Sequence, residues 1–194
     1  MGDGPELVPQ QGVGVPDHLQ RLWTPHRMAY VTAGSGTDRT EKASGGAAAL
    51  PFESAAKNCP FCRIPTLSDE EGLIVARGEL VYAVLNLFPY NPGHLMVLPF
   101  RHMPDYTDLD GAELAEFSVF TRHALTTIRA VSAPHGFNIG INAGSAAGAG
   151  IAEHLHQHVV PRWGGDSNFM PVIGQTKVLP QLLVDTRRLI ADAW

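Results

Sequence analysis

Residues 151–162 read IAEHLHQHVVPR, and their alternation leaves little choice of backbone. His154, His156 and His158 stand at i, i+2 and i+4. Successive side chains on a strand point to opposite faces, so this spacing predicts three imidazoles on one face, roughly 7 Å apart along it. Leu155, Gln157 and Val159 then take the other face, which predicts a strand with one side turned to a core. One histidine on a strand is usually an ordinary residue, whereas three in register imply chemistry. Near neutral pH an imidazole can act as nucleophile, proton shuttle or metal ligand. Spacing alone leaves covalent phosphoryl-group chemistry and a metal site both open.

The flanking pattern predicts the fold that holds this strand. Leu80 to Phe88 (LVYAVLNLF) is rich in β-branched and aromatic residues, Asn91-Pro92-Gly93 is a turn, and His94 to Pro99 (HLMVLP) is a second strand, giving an antiparallel hairpin. Asp110, with Glu113 three positions on, forms a capping box for a helix whose Leu114, Phe117, Leu125, Ile128 and Val131 share one face until Pro134 and Gly136 end it. Phe137 to Asn142 is a strand, and Ala143 to Gly150 (AGSAAGAG) is a small-residue loop. The order implies an α+β domain, an antiparallel sheet with one long helix. Met96 and Phe117 are expected in its core.

Outside that domain the composition changes. Gly34 to Ala49 carries too little apolar surface to offset ordering entropy, so residues 1–57 read as a mobile arm and linker, with Leu22, Trp23, Met28 and Tyr30 in a short apolar segment. The domain spans 58–166, and 167–194 is an extension packing on it. With 14 Lys+Arg against 19 Asp+Glu, a net charge of -5 offers no broad basic footprint, which argues against a nucleic-acid polymer as partner. No stretch approaches the roughly 18 apolar residues of a membrane span. The expectation is a soluble, cytoplasmic protein with no membrane partner.

Two further features bear on function. Residues 136–152 contain no charged side chain, and Gly144, Gly148 and Gly150 permit close backbone approach, so exposed N–H groups there are a candidate anion cradle. Asn138 and Asn142 point the same way from the preceding strand, where an amide can orient a phosphate or ribose. Cys59 and Cys62 form a C-x-x-C knuckle, which reads as half of a zinc site, a redox motif or a reduced thiol pair.

HLHQHVVPR resembles the signature of the histidine triad superfamily, and LVYAVLNLFPYNPGHLMVLP resembles its nucleotide-site strand and turn. The resemblance covers roughly Cys59 to Asp166. It implies a HIT-like fold, pairing into a homodimer, and cleavage at the α-phosphorus of a nucleotide. His156 would be the nucleophile that forms a nucleotidyl-histidine, His158 would lie by the phosphate and ribose, and His154 would support the site. Asn86 would face the ribose and Asn142 the phosphate. Many members carry Gln four residues before the first triad histidine; here Gly150 stands there, or Ala149 if the loop is one residue longer. A small residue leaves room for inorganic phosphate as second acceptor.

Arg162 to Pro180 resembles the extension of members that process dinucleoside polyphosphates, and RLWTPHRMAYV resembles an arm of the actinobacterial diadenosine tetraphosphate phosphorylases. The implied reaction is phosphorolysis to ADP and ATP, with a dinucleoside polyphosphate and inorganic phosphate as partners. Hydrolysis, nucleoside phosphoramidase activity and non-catalytic nucleotide binding are the alternatives. Arg162 and Lys177 are candidate contacts for distal phosphates, and Mg²⁺ is a candidate companion of the phosphate chain. By the same resemblance, Cys59, Cys62, His102 and His154 would hold a structural Zn²⁺.

Overall fold

A computed structural model describes residues 58–166, 173–175 and 179–194. The arm expected over 1–57, Lys177 and most of the stretch after Asp166 lie outside the described residues.

The sheet has five strands: β1 (Ile74–Arg77), β2 (Val81–Leu85), β3 (Leu95–Pro99), β4 (Gly136–Ile141) and β5 (Gln157–Arg162). Their spatial order is β1-β2-β3-β5-β4, and every neighbouring pair is antiparallel. The last of these strands in sequence, β5, therefore sits inside the sheet, with Met96 and Gly140 as the register partners of His158. Helix α1 (Pro60–Arg63) precedes the sheet, α2 (Gly111–Ser132) joins β3 to β4, and α3 (Leu183–Ala191) closes the chain.

The period-2 alternation of the strands separates two apolar clusters. Val81, Ala83, Leu85, Leu95, Val97, Leu155 and Val159 pack with Phe117, Ala124 and Ile128 of α2 and Ile190 of α3. Tyr82, Val84, Met96 and Leu98 face the other way and pack with Cys59, Phe61 and Ile74. Both helices thus cover one face, α2 across β2, β3 and β5, and α3 against β1 and α2. No helix among the described residues is long and apolar enough to cross a membrane.

The capping box is present in both halves: Asp110 accepts from the N–H groups of Ala112 and Glu113, and Glu113 accepts from the N–H of Asp110. The helix ends at Ala133, in the left-handed region at φ 44°, directly before Pro134. Leu114 departs from expectation, being 38% exposed. The buried stripe runs through Glu113, Phe117, Ala124, Thr127 and Ile128, because the capping glutamate turns inward to Arg101 and displaces Leu114 to the flank.

The strand expected from Ile151 begins only at Gln157. Residues 151–154 are turn and bend, and the Leu155 N–H donates to the Met103 carbonyl at 2.6 Å. Alternation survives without the ladder. Leu155 and Val159 enter the helix-side core, and Gln157 donates to Thr121 of α2.

Candidate functional site

On the face of the sheet opposite α2 and α3 lies a cleft of about 530 Å³. Phe61, Ile64, Leu73 and Ile151 give it apolar walls, Asn86 and Asn142 add amides, and His156 and His158 stand in its lining. A concave, mainly apolar cavity with a few convergent polar groups is the usual form of a small-molecule site. The Asn86 side-chain oxygen accepts from the Phe88 N–H at 2.9 Å, which shapes the rim.

Hydrogen bonds assign a proton position to each histidine. His156 Nδ1 lies 2.8 Å from the His154 carbonyl, which can only accept, so Nδ1 carries the hydrogen and the neutral ring keeps its lone pair on Nε2. The Tyr90 N–H donates to His94 Nδ1 at 3.0 Å, leaving the hydrogen of neutral His94 on Nε2. That Nε2–H donates to His158 Nδ1 at 2.9 Å, so neutral His158 presents an Nε2–H. Burial, with His158 alongside, holds His94 down to about 3, and burial with His156 alongside lowers His158. One ring therefore offers a lone pair and its neighbour, 5.1 Å away between ring centres, offers a proton. That pairing suits attack on a phosphorus whose oxygens need a donor. His94, 1% exposed, is expected from sequence as the first residue of a strand, lies just before β3, and is not among the expected site residues.

The glycine loop is less open than expected. The N–H groups of Ala147, Gly148 and Ala149 bond back to Gly144 and Ser145 within the loop, so they are not free for an anion. Gly144 and Gly148 take φ of 81° and 90°, which makes this tight reversal possible. The N–H of Gly150 has no acceptor among the described residues, and a Cβ at Gly150 would meet nothing within 4 Å. Asn142 donates to the Gly148 carbonyl at 3.4 Å and lies in the cleft lining with Gly148 and Gly150.

Next to the cleft, Cys59, Cys62, His102 and His154 converge, their ligand atoms all within 4.8 Å of one another. His154 Nε2 donates to the Pro99 carbonyl at 3.0 Å, which leaves Nδ1 unprotonated, 3.4 Å from Cys59 Sγ and 3.5 Å from Cys62 Sγ. His102 Nδ1 is 3.3 Å from Cys62 Sγ. Tetrahedral zinc bonds of about 2.3 Å to sulfur and about 2.0–2.1 Å to nitrogen place such atoms roughly 3.6 Å apart, so the cage has the right size for Zn²⁺. Burial, with Cys59 beside it, pushes the Cys62 thiol up to about 12, and burial holds His154 down to about 4. A neutral imidazole is ready to ligate, whereas the Cys62 thiol ionises readily only against a cation. No second group of this kind lies among the described residues, so none points to Mg²⁺. Phe61, between the two cysteines, packs 5.0 Å from the His156 ring and 5.7 Å from His154.

A second cavity, of about 420 Å³, continues along β4 and β5 and shares Tyr90, Asn142 and His158 with the first. Arg162 lines it, with two nitrogens on the Asp166 carboxylate at 2.7 and 2.9 Å and a third donating to Asn138 at 2.6 Å. Asp166 also accepts from Asn91 and from the Trp163 N–H, and these bonds, that to Arg162 foremost, hold its carboxyl well below the usual range. Trp163 lies on the far side of this network, in a third cavity beside α3.

A family model described as the HIT domain matches residues 69–165. The chain belongs to the HIT family. It is 56% identical over 184 residues to the AP-4-A phosphorylase of Mycobacterium tuberculosis, covering 95% of this chain and 89% of that one. Its fold resembles a zinc-bound histidine triad family protein from Mycobacterium smegmatis, with 26% identity, a TM-score of 0.56, and coverage of 71% of this chain and 94% of the other. A hypothetical histidine triad nucleotide-binding protein from Sulfolobus tokodaii is 27% identical at a TM-score of 0.58, covering 70% and 91%. The HIT-like antiparallel sheet expected from the sequence is the one found.

Proposed function

We propose that the chain is a nucleotidyltransferase that cleaves diadenosine tetraphosphate by phosphorolysis, yielding ATP and ADP. The observation that carries this reading is the lone pair on His156 Nε2, fixed by the bond from Nδ1 to the His154 carbonyl, beside the Nε2–H of His158. Identity of 56% to an AP-4-A phosphorylase supports the choice of substrate.

His156 Nε2 attacks the α-phosphorus. A P–N bond forms as the bond to the bridging oxygen breaks, and ATP leaves. Hydrogen phosphate then attacks the same phosphorus, the P–N bond breaks, the phosphate proton passes to solvent, and ADP leaves. The Nε2–H of His158 donates to a phosphoryl oxygen as charge builds there. Asn86 faces the ribose and Asn142 the phosphate. Gly150, with Ala149, leaves space for the incoming phosphate and offers its own N–H.

A Zn²⁺ held by Cys59, Cys62, His102 and His154 would supply structure and not catalysis, because four protein ligands leave no open position. The zinc-bound relative from M. smegmatis supports that choice of ion. Any Mg²⁺ would arrive with the substrate's phosphates. The working unit is a homodimer built from the domain at 58–166 with its extension at 167–194. Free thiols at Cys59 and Cys62 suit a reducing compartment such as the cytoplasm.

Product analysis of diadenosine tetraphosphate turnover, with and without inorganic phosphate, tests the reading, with His156→Ala as the blank. ATP and ADP formed only with phosphate is the expected result. AMP and ATP without phosphate would make the chain a hydrolase, and no turnover would favour a phosphoramidase or a binding module.

A further inference from the structure

One wall of the apolar cleft is built by the segment leading into β1, from which Ile64, Leu67, Glu71, Gly72 and Leu73 stand in the lining. The backbone there is in an unfavourable shape. Leu73 has φ 54°, in the left-handed region that a residue with a Cβ disfavours. A Cβ at Gly72 would lie 3.1 Å from the Ile74 side chain, tighter than an ordinary contact. The Leu85 N–H donates to the Leu73 carbonyl at 3.0 Å, but the register of β1 on β2 shifts just beyond, between Ile74 and Ala76. The sheet ladder is irregular where the wall meets it.

Two arginines, neither of them in the cleft lining, tie this segment down. Arg77 of β1 donates from Nε to Asp69 at 2.8 Å and from its terminal nitrogens to the Pro65 and Leu67 carbonyls at 2.8 and 2.9 Å. Arg187 of α3 donates from Nη1 to the Ile74 carbonyl at 3.2 Å and from Nη2 to Glu70 at 3.1 Å. The Ile74 N–H bonds to the Asp69 carbonyl and the Leu73 N–H to the Glu70 carbonyl, so the two guanidinium groups grip the turn that carries Leu73.

Stability alone does not account for Arg187. Its side chain is 12% exposed, its Nε is buried with no hydrogen-bond partner among the described residues, and its carboxylate partner Glu70 is 71% exposed. A buried unpaired donor is costly, and an ion pair with one end in water contributes little. What the guanidinium secures is position, at the carbonyl next to Leu73. Arg187 also lies outside residues 69–165, the span matched by the HIT domain model.

We infer that Arg187 is a positioning residue for nucleotide binding. Helix α3 braces the apolar wall through Ile74 and Glu70, and so holds Gly72 and Leu73 in the shape that receives the base of the adenylyl half. This rests on the reading of the cleft as the nucleotide site. The brace makes no contact with His156 or His158, so it governs affinity and not the rate of the bound complex.

Equilibrium binding of AMP to the full chain tests this, together with steady-state turnover of diadenosine tetraphosphate at saturating phosphate. Arg187→Met keeps the apolar stem and removes the guanidinium. AMP affinity should fall about tenfold, KM should rise in step, and kcat should stay within about twofold. Arg187→Lys, which restores a single donor group, should recover part of the loss, and its smaller loss is the measure if thermal unfolding shows the methionine variant to be misfolded. Phe117→Ala removes packing from α2 and leaves both arginines in place, so it should bind AMP as the wild type does. AMP affinity unchanged by loss of the guanidinium, a fall in kcat with KM unchanged, or an equal loss of affinity in Phe117→Ala would overturn the inference. A wild-type chain that binds no AMP would overturn the reading of the cleft, and the brace with it. Because AMP binding needs no turnover, a failure of phosphorolysis in the product assay is read separately from both.

Discussion

The two faces of the sheet are made by the same strands and have opposite contents. On the helix side, β2, β3 and β5 present Val81, Ala83, Leu95, Val97 and Val159 to Phe117, Ala124 and Ile128, with the Gln157–Thr121 bond at the margin. On the other side, His94, His154 and His156 are all under 9% exposed; both ring nitrogens of His94 and Nε2 of His154 are hydrogen-bonded within the chain, as is Nδ1 of His156, whose Nε2 faces the cleft unbonded. Burying polar groups is costly unless they are paired, so the histidine face is tolerable only as a connected network. The helix-side face supplies cohesion, and the face it supports can hold unusual protonation states in place.

The sharpest break in that comparison comes from His156→Ala. Turnover should fall by roughly ten-thousand-fold in a single-turnover assay, while unfolding stays cooperative, because the helix-side core is untouched. Phe117→Ala should do the reverse, costing about 3–5 kcal/mol in urea unfolding yet leaving the ratio of products unchanged where the protein is folded. Cys62→Ser should bring bound zinc, measured by elemental analysis, to background and lower the melting temperature by roughly 5 °C. Gly150→Gln should shift the ratio of phosphorolysis to hydrolysis by about tenfold towards hydrolysis, read from ADP against AMP. An unchanged ratio would refute the role given to the small residue.

The smallest effect is the pH dependence of stability. His94 is held to about 3 in the folded chain against 6.5 as the ordinary value, and His158 is lowered as well. Above the ordinary value both states are neutral and stability is complete. As pH falls below it, the unfolded chain takes up protons that the folded chain refuses, and stability declines towards the folded value. The urea midpoint should therefore drop between pH 7.5 and 5, and His94→Gln should reduce that drop.

Features legible in the sequence were those encoded over short spans. The capping box at Asp110 and Glu113 needs three residues of context, and the continuous apolar runs of β2 and β3 need five. Strand β1 is not legible because IVAR is only four residues long and ends in a charge, too short a run to stand out as a strand. Helix α3 was missed because its polar run, DTRR, hides the contact that Ile190 makes with the core. The pairing of His94 with His158 spans 64 residues, and no local pattern announces it. The start of β5 was misplaced for a related reason, since the His154 ring is held by Pro99 and the cysteines and not by a strand ladder.

The sequence separations within the cysteine–histidine cage have a consequence for the order of assembly. Cys62 meets His102 40 residues later, but Cys59 meets His154 only after 95. A growing chain that has released the hairpin holds at most three of the four ligands. Contacts of such long separation form late, because loop closure must precede them. A metal held by all four residues would therefore enter only after the stretch leading into β5 has joined the sheet, and a chain truncated before it would carry two thiols with no complete cage to accept them.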